Sequence, residues 1–180
     1  MGVGDRIREI REDKKLSTRS LAEKSEVSAS LISQIESGKV DPSLSTLRKI
    51  AVALDVALFS LVLVDDSEPT RVVKKHERKS VVFPNGGLDY SIIHSDQNKK
   101  IALMVGTLAP GGATSETLLN HPGEECLLVE RGTLTVYVGS ESLDLEEGDS
   151  LYFDSTVPHR LCNTRDEECK FYLIITPPKF

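Results

Sequence analysis

Residues 18–39 of the chain read TRSLAEKSEVSASLISQIESGK. Their apolar side chains recur three and four positions apart, which predicts two short amphipathic helices, over 18–25 and 29–37. Ser28 stands where the second of these helices needs an N-cap. Gly38 suits the left-handed position that ends it. This stretch therefore predicts a tight pair of helices joined by a short turn.

The helical period continues on both sides of this pair. Further helices are predicted over 5–14, 44–54 and 57–63. Serines stand where helices two, three and four need N-caps: Ser17, Ser28 and Ser43. Pro42 lies just ahead of the fourth helix, as is typical of a helix start. We therefore expect a five-helix bundle over residues 5–64.

The third predicted helix carries a polar surface with no packing role. Its buried face is formed by Leu31, Ile32 and Ile35, and its first turns leave short side chains pointing outward. The major groove of B-DNA admits one helix, and such side chains at its N-terminal end can contact base edges. Gln34 is the best candidate for a bidentate contact to adenine. The residues predicted to contact DNA are Thr18, Arg19, Ser28, Ala29, Ser30, Ser33, Gln34 and Lys39. The alternative is a bundle that serves only as a scaffold or a dimerisation module.

The pattern changes after residue 64. Residues 65–80 are polar, which indicates a linker. From residue 81 onward, short β-type segments alternate with Gly, Pro, Asn and Asp. The predicted strands are 88–94, 100–109, 125–130, 133–138, 150–153, 158–162 and 169–176, and the acidic run from Asp144 to Asp149 is predicted as an exposed turn. Many short strands favour a sandwich or small barrel over 81–180.

Charge and composition narrow the class of protein. The net charge is −6, but residues 1–64 hold ten Lys and Arg against nine Asp and Glu, so the excess acid lies in the second part. The first part can still present a basic face to phosphates. No apolar run approaches the roughly 20 residues of a membrane span, and the N-terminus lacks the apolar region of a signal peptide. We expect a cytoplasmic protein.

Three cysteines, Cys126, Cys162 and Cys169, are present without a Cys-x-x-Cys pair. An odd number at these spacings argues against a disulfide framework and against a zinc site built from cysteines. We expect small buried residues or idle thiols rather than a redox centre.

The β-rich part contains a candidate metal site. His121 and Glu125 lie four residues apart across a Pro-Gly bend, and His159 follows a proline at the start of another predicted strand. Two imidazoles and one carboxylate can hold a divalent metal and leave positions for water or a ligand. The residues predicted to line an effector pocket beside it are Tyr90, Met104, Glu116 and Tyr152.

The first part resembles the XRE-type helix-turn-helix family. LSTRSLA (16–22), VSASLISQIESGK (27–39) and PSLSTLRKIA (42–51) match its three consecutive signatures. The resemblance implies a lambda-repressor-like fold that binds operator DNA. Thr18 departs from the family, which often has Gln there to brace a backbone contact, so either the phosphate contact at this position is weaker or Arg19 contributes more to it.

The second part resembles the cupin family over roughly 81–177. LNHPGEE (119–125) and the stretch 148–163 match its two motifs, with Leu119 in place of the first ligand and with His159 and Asn163 closing the second motif. The resemblance implies a double-stranded β-helix, or jelly-roll barrel, in which three of four usual ligands remain. Zn, Fe, Ni and Mn all accept this ligand set. The alternatives are a metal-free small-molecule pocket and a purely structural or dimerising barrel.

The order of the two domains is similar to that of XRE–cupin regulators of the putrescine-utilisation repressor type. That resemblance implies a transcriptional regulator, more often a repressor, that binds a palindromic operator as a homodimer formed through the cupin domain and responds to a small-molecule effector. The alternative is a metal-dependent cupin enzyme, because hydroxypropylphosphonate epoxidases also join a helix-turn-helix-like domain to a cupin. The exposed polar face of the third helix favours the regulator, and no catalytic residues are predicted.

Overall fold

The N-terminal part is a helical bundle. The computed structural model describes residues 2–56, 58–61, 72–94 and 100–178, without the side chains of Phe59 and Asn85. Its α-helices are α1 (Val3–Asp13), α2 (Thr18–Ser25), α3 (Ala29–Glu36) and α4 (Leu44–Leu54). None of the helices in these ranges is long and apolar enough to cross a membrane.

The predicted N-caps are confirmed. The hydroxyl oxygens of Ser17, Ser28 and Ser43 each accept a hydrogen bond from the backbone N–H three residues later, at 3.0, 3.2 and 3.2 Å. Each bond satisfies one amide that the first turn of a helix would leave unpaired. Gly38 has φ of 70° just after α3, as predicted for the residue that ends this helix.

The prediction of five α-helices requires a correction to four within the described ranges. The segment predicted as helix 57–63 contains a 3-10 helix over Leu58–Leu61. Residue 57 and residues 62–63 lie outside the described part of the chain. Asp55, in a left-handed conformation, ends α4. The prediction of this helix depended on Leu58 and Leu61, and both are buried. Their spacing reflects burial in the core, which one short 3-10 turn is enough to provide.

A buried ion pair fixes α3 against α1. Arg11 donates two hydrogen bonds to the carboxylate of Glu36, from Nε at 2.7 Å and from Nη2 at 2.9 Å. Both residues are buried, so losing either partner would leave a buried charge with only one longer ion pair, from Arg8 Nε to Glu36 at 3.5 Å or from Arg11 Nη2 to Glu12 at 3.4 Å. Gly4 completes this contact, because a Cβ there would lie 2.0 Å from the carbonyl oxygen of Ile35. The last turn of α3 is therefore held in one position against α1.

The C-terminal part is an antiparallel barrel of two sheets. Its strands within the described residues are β1 (Lys79–Phe83), β2 (Leu88–His94), β3 (Ala102–Leu108), β4 (Glu124–Arg131), β5 (Leu134–Val138), β6 (Glu141–Leu145), β7 (Ser150–Asp154), β8 (His159–Cys162) and β9 (Cys169–Thr176). Six of them form one sheet in the order β1-β2-β3-β9-β4-β7, and three form the other in the order β6-β5-β8. All seven predicted strands are present, with ends shifted by no more than two residues.

Two strands escaped the sequence analysis, and both lie at sheet edges. β1 begins at Lys79, within the stretch that we assigned to the linker, and β6 overlaps the acidic run predicted as an exposed turn. Edge strands are commonly charged because charge discourages pairing with another chain. Glu141 and Asp144 of β6 are exposed, and its apolar alternation is limited to Leu143 and Leu145, which is too short to identify a strand.

The barrel interior is apolar and closely packed. Phe171 of β9 is fully buried, and its ring lies against Gly106 of β3, where a Cβ would come within 2.3 Å of the ring. The buried side chains of Tyr90 and Met104 share this interior. Cys126, Cys162 and Cys169 are free thiols.

Candidate functional site

The start of α3 presents the predicted polar surface to solvent. Ile32 and Ile35 are buried, while the other side of the helix is exposed. The exposed residues on and just before its first turns are Ser28, Ala29, Ser30, Ser33 and Gln34. Their side chains are too short and polar to contribute to the core, and no other element within the described residues covers them. This surface has the dimensions and chemistry of a helix that enters a major groove.

Two cationic residues flank this surface. Arg19, near the start of α2, is exposed, and its Nε lies 3.5 Å from the carboxylate of Glu23. Lys39, just after α3, is also exposed. Thr18 is half-buried at the first position of α2. Arg19 and Lys39 are thus exposed cations, one on α2 and one just after α3.

The second candidate site lies inside the barrel, where three predicted ligands converge. His121 precedes β4, Glu125 is on β4, and His159 opens β8 in the other sheet. The backbone of Leu119 bonds to that of His159 in both directions, at 3.0 and 2.8 Å, which brings the loop before β4 alongside β8. His121 Nε2 lies 2.7 Å from Glu125 Oε1, and His159 Nε2 lies 3.4 Å from the same oxygen. The two motifs, 119–125 and 148–163, thus meet at one carboxylate oxygen.

This cluster is charged although it is removed from water. Glu125, His121 and His159 are all buried, and Glu125 is only 2% exposed. Burial by itself raises the pKa of the Glu125 carboxyl, but hydrogen bonds and charge from His121 and His159 lower it to about 2. The carboxylate therefore stays ionised inside the barrel.

The nitrogen atoms of His159 indicate that the cluster suits a cation. Its Nδ1 lies 2.9 Å from the carbonyl oxygen of Val157, so an Nδ1–H would donate there and leave a lone pair on Nε2. Nε2 is buried and has no hydrogen-bond partner in the described part of the chain. The candidate ligand atoms of the three residues lie within 4.8 Å of one another. A lone pair beside an ionised carboxylate and a second imidazole is a donor set that fits a divalent metal.

The four predicted pocket residues separate into three locations. Tyr90 and Met104 are buried inside the barrel, and Glu116 is exposed in the loop after β3. Tyr152 is 63% exposed on the outer face of the sheet, so its prediction as a pocket residue is wrong. The strand period was placed one residue out of phase, because side chains on a strand alternate between faces.

The inward residue of β7 is Phe153, which the sequence analysis missed. Its ring centroid lies 4.9 Å from that of His159, and the side chain is buried. Leu151 and Phe153 lie on one face of β7 and Tyr152 on the other, and because each face carries an aromatic ring, the alternation alone did not identify the inward one. Asn163, at the end of the second motif, donates to the carbonyl oxygens of Leu108 and Glu167 at 3.1 and 2.6 Å. Its amide thus joins the end of β3 to the loop after β8, and among the described residues it forms no hydrogen bond with the three candidate ligands.

Comparison with protein families gives two matches. A helix-turn-helix model matches residues 7–61, and a cupin-domain model matches residues 104–175. The first range contains α1 to α4 almost completely, and the second contains all three candidate metal ligands. The change from helices to strands lies between the two matched ranges.

Individual proteins share this arrangement. The chain is 29% identical over 181 residues to the HTH-type transcriptional regulator PuuR of Escherichia coli strain K12, covering all of this chain and 97% of that protein. A crystal structure of an HTH_3 family transcriptional regulator from Vibrio cholerae has a TM-score of 0.74 at 20% identity, covering 97% of this chain and 94% of that one. Hydroxypropylphosphonic acid epoxidase from S. wedmorenis has a TM-score of 0.53 at 18% identity, covering 97% and 96%. The two structural similarities establish a shared fold.

Replacing either histidine of the cluster is expected to reduce metal retention. Purified protein loaded with Zn²⁺ and then dialysed should keep about one equivalent, whereas His121→Ala and His159→Ala should each retain about tenfold less, because each removes one of three ligands. Metal content by mass spectrometry measures this, with Fe(II), Ni(II) and Mn(II) tested in parallel. His76→Ala is the control, since His76 is exposed and remote in sequence from the cluster. Equal retention by all four proteins would contradict the assignment.

Proposed function

Because the chain joins a helix-turn-helix domain to a cupin domain, we propose that it is a cytoplasmic, sequence-specific DNA-binding regulator of transcription. We assign the DNA-binding domain to residues 5–64, the linker to 65–80 and the cupin domain to 81–180. The observation that carries the proposal is the exposed polar face at the start of α3, flanked by Arg19 and Lys39. The full-length similarity to a protein named as a transcriptional regulator supports it.

In this proposal α3 enters the major groove of the operator. Gln34 can donate to N7 and accept from N6 of one adenine, and Ser30 and Ser33 lie on the same exposed side. Ser28 and Ala29 lie at the helix start, where the chain comes closest to the base edges. Arg19 and Lys39, with the backbone at Thr18, contact phosphates and fix the orientation of the helix.

The regulator is proposed to act as a homodimer on a palindromic operator. Residues 1–64 carry a net charge of only +1, so one copy offers little of the electrostatic attraction that supports DNA binding. Two copies related by a two-fold axis would place two α3 helices in successive major grooves about 34 Å apart.

An apolar patch on the outer face of the barrel suits the dimer contact. Strand register places Cys126 beside Tyr152 and Ile174, and Leu128 beside Tyr172. Leu128, Ile174 and Tyr152 are 44%, 38% and 63% exposed. The patch consists of Leu103, Cys126, Leu128, Tyr152, Tyr172 and Ile174. A contiguous apolar surface of this kind is typical of an interface, and a two-fold axis through it would let each patch cover the other.

The barrel is proposed to bind the effector and a divalent metal. His121, Glu125 and His159 would hold Zn, Fe, Ni or Mn, and Tyr90 and Met104 line the interior near them. A metal there would supply a Lewis acid to which an effector's oxygen or nitrogen can bind. Such an effector changes DNA affinity only if it binds one arrangement of the dimer better than the other, and we propose that it relieves repression.

A metal-dependent oxygenase is the alternative function. The same three residues form a two-histidine, one-carboxylate set that such enzymes use, and the fold is shared with hydroxypropylphosphonic acid epoxidase. The exposed face of α3 favours the regulator, because an enzyme has no use for a groove-binding surface. Oxygen consumption by the iron-loaded protein would favour the enzyme.

Gln34→Ala is expected to weaken operator binding. Loss of one bidentate base contact costs about 1–3 kcal/mol, or roughly five- to a hundredfold in affinity, and relaxes discrimination at that base pair. Fluorescence anisotropy with the protein's operator and with single-base variants of it measures both effects. Val52→Ala, at an exposed position of α4, should bind like the wild type. Unchanged affinity and base preference for Gln34→Ala would contradict the role given to α3.

Charges placed in the apolar patch are expected to separate the dimer. Leu128→Lys and Ile174→Lys would each bring two like charges into a two-fold interface, where they oppose association. Light scattering after size exclusion should give the dimer mass for the wild type and about half of it for both variants at micromolar concentration. Val82→Lys, on the edge strand β1 and 58% exposed before substitution, is the control. Dimeric variants, or a monomeric wild type, would contradict this interface.

A further inference from the structure

A cavity of about 700 Å³ lies between the helical bundle and the barrel. On one side it is lined by Lys39–Ser45, the seven residues that lead from α3 into α4. On the other side it is lined by the turn before β2, the loop after β3 and Arg160 of β8. Its volume is in the range of small-molecule sites. Glu125, His121 and His159 are not among its lining residues, so it is separate from the candidate metal site.

Four charged side chains line this cavity, and their charges sum to zero. Lys39 and Arg160 are cations, and Asp41 and Glu116 are anions. None of the four forms an ion pair with another described residue. Lys39, Asp41 and Glu116 are exposed and Arg160 is half-buried, so all four charges are accessible to a ligand that enters the cavity.

Arg160 is the best-defined of the four. Its Nη1 donates to the backbone oxygen of Glu116 at 2.9 Å, and its guanidinium lies 5.5 Å from the centre of the Tyr137 ring. Its Nε is buried and has no hydrogen-bond partner among the residues described. The side chain is therefore held in place while its charge is left without a carboxylate, the state of a residue arranged to bind an anionic group.

We propose that this cavity binds a small zwitterion of the amino-acid class, which acts on the regulator proposed above as a second effector, at a site separate from the one in the barrel. Its carboxylate binds Lys39 and Arg160, and its ammonium group binds Asp41 and Glu116. A ligand with charge of one sign would neutralise one pair and leave the other unmatched. The apolar side chains of Phe83 and Leu88 also line the cavity and provide room for a short aliphatic side chain.

The position of the cavity gives such a ligand a direct effect on DNA binding. Lys39 is proposed above to contact an operator phosphate, so a ligand carboxylate competes for the same ammonium group. The loop Lys39–Ser45 also sets the angle between α3 and α4. A ligand that binds both this loop and the barrel favours one relative position of the two domains, and by linkage DNA and ligand change each other's affinity by the same factor.

Arg48 of α4 and Tyr90 of β2 interact electrostatically, which links the helix after the cavity-lining loop to the barrel. The charge of Arg48, on α4, acts on the hydroxyl of Tyr90 in β2: burial raises the pKa of that hydroxyl, and Arg48 lowers it. Glu125 acts on the same hydroxyl in the opposite direction. The helix that follows the cavity-lining loop is thus within electrostatic range of a residue next to the metal site.

Calorimetric titration of the full-length protein tests the proposal. The twenty L-amino acids are the probes, and for the tightest of them the corresponding 2-oxo acid and the decarboxylated amine are titrated as well. We expect one site per chain, and at least tenfold weaker binding of both analogues, because each lacks one charge. Lys39→Gln and Arg160→Gln should each weaken binding at least tenfold, whereas Lys24→Gln, at an exposed position of α2, should not. Lys39 is exposed and its side chain forms no hydrogen bond or ion pair with the described residues, so its variant tests the site even if Arg160→Gln does not fold.

Three results would overturn the inference. The first is that no amino acid binds, and the second is that an amino acid and its 2-oxo acid bind equally. The third is that His121→Ala loses binding while Lys39→Gln binds like the wild type. Gel shifts with operator DNA distinguish this failure from failure of the proposed function. Specific DNA binding without an amino-acid response overturns only the effector class and its site, whereas absence of specific DNA binding overturns the regulator itself.

Discussion

The ionised carboxylate of Glu125, almost completely removed from water, is the constraint on which the barrel depends. A buried charge of this kind is stable only when groups of opposite charge or hydrogen-bond donors surround it. His121 Nε2, from the preceding loop, meets this requirement at 2.7 Å from one oxygen, and His159 Nε2, from the opposite sheet, lies 3.4 Å from the same oxygen. The two sheets thus meet at a polar centre within an apolar interior, and this centre is the candidate metal site of the barrel.

The requirement that a buried charge be paired also fixes the position of α3, the helix proposed to bind DNA. Glu36, at the end of α3, is buried and bonded twice to Arg11 of α1. Because this pair cannot be separated without exposing a charge to an apolar surrounding, α3 is fixed at its C-terminal end while its N-terminal end stays exposed. Rigid placement of a short polar surface is what base recognition needs, since a bidentate contact tolerates little displacement. Each domain therefore holds a buried carboxylate against a hydrogen-bonding partner, Glu36 against Arg11 and Glu125 against His121.

The spacing of residues along the chain was enough to predict the features that depend only on residues close in sequence. The serine caps follow from local hydrogen bonding, and the ligand set His121, Glu125 and His159 follows from two compact motifs; the structure brings these three together. The phase of β7 was misplaced because two adjacent aromatic residues, Tyr152 and Phe153, both suit a strand and only tertiary packing selects the inward one. Edge strands and the cavity between the domains could not be predicted, because edges lack apolar alternation and the cavity is lined by segments far apart in sequence.

Binding to the DNA upstream of the protein's own gene tests the central claim most directly. A gel-shift titration at physiological salt, with random-sequence DNA of equal length as competitor, gives the ratio of specific to non-specific affinity. The account predicts a ratio of at least about 10³, and a protected site with two-fold symmetry whose half-sites lie about one helical turn apart. A ratio near one on this DNA, and on any sequence selected from a random pool, would contradict the account.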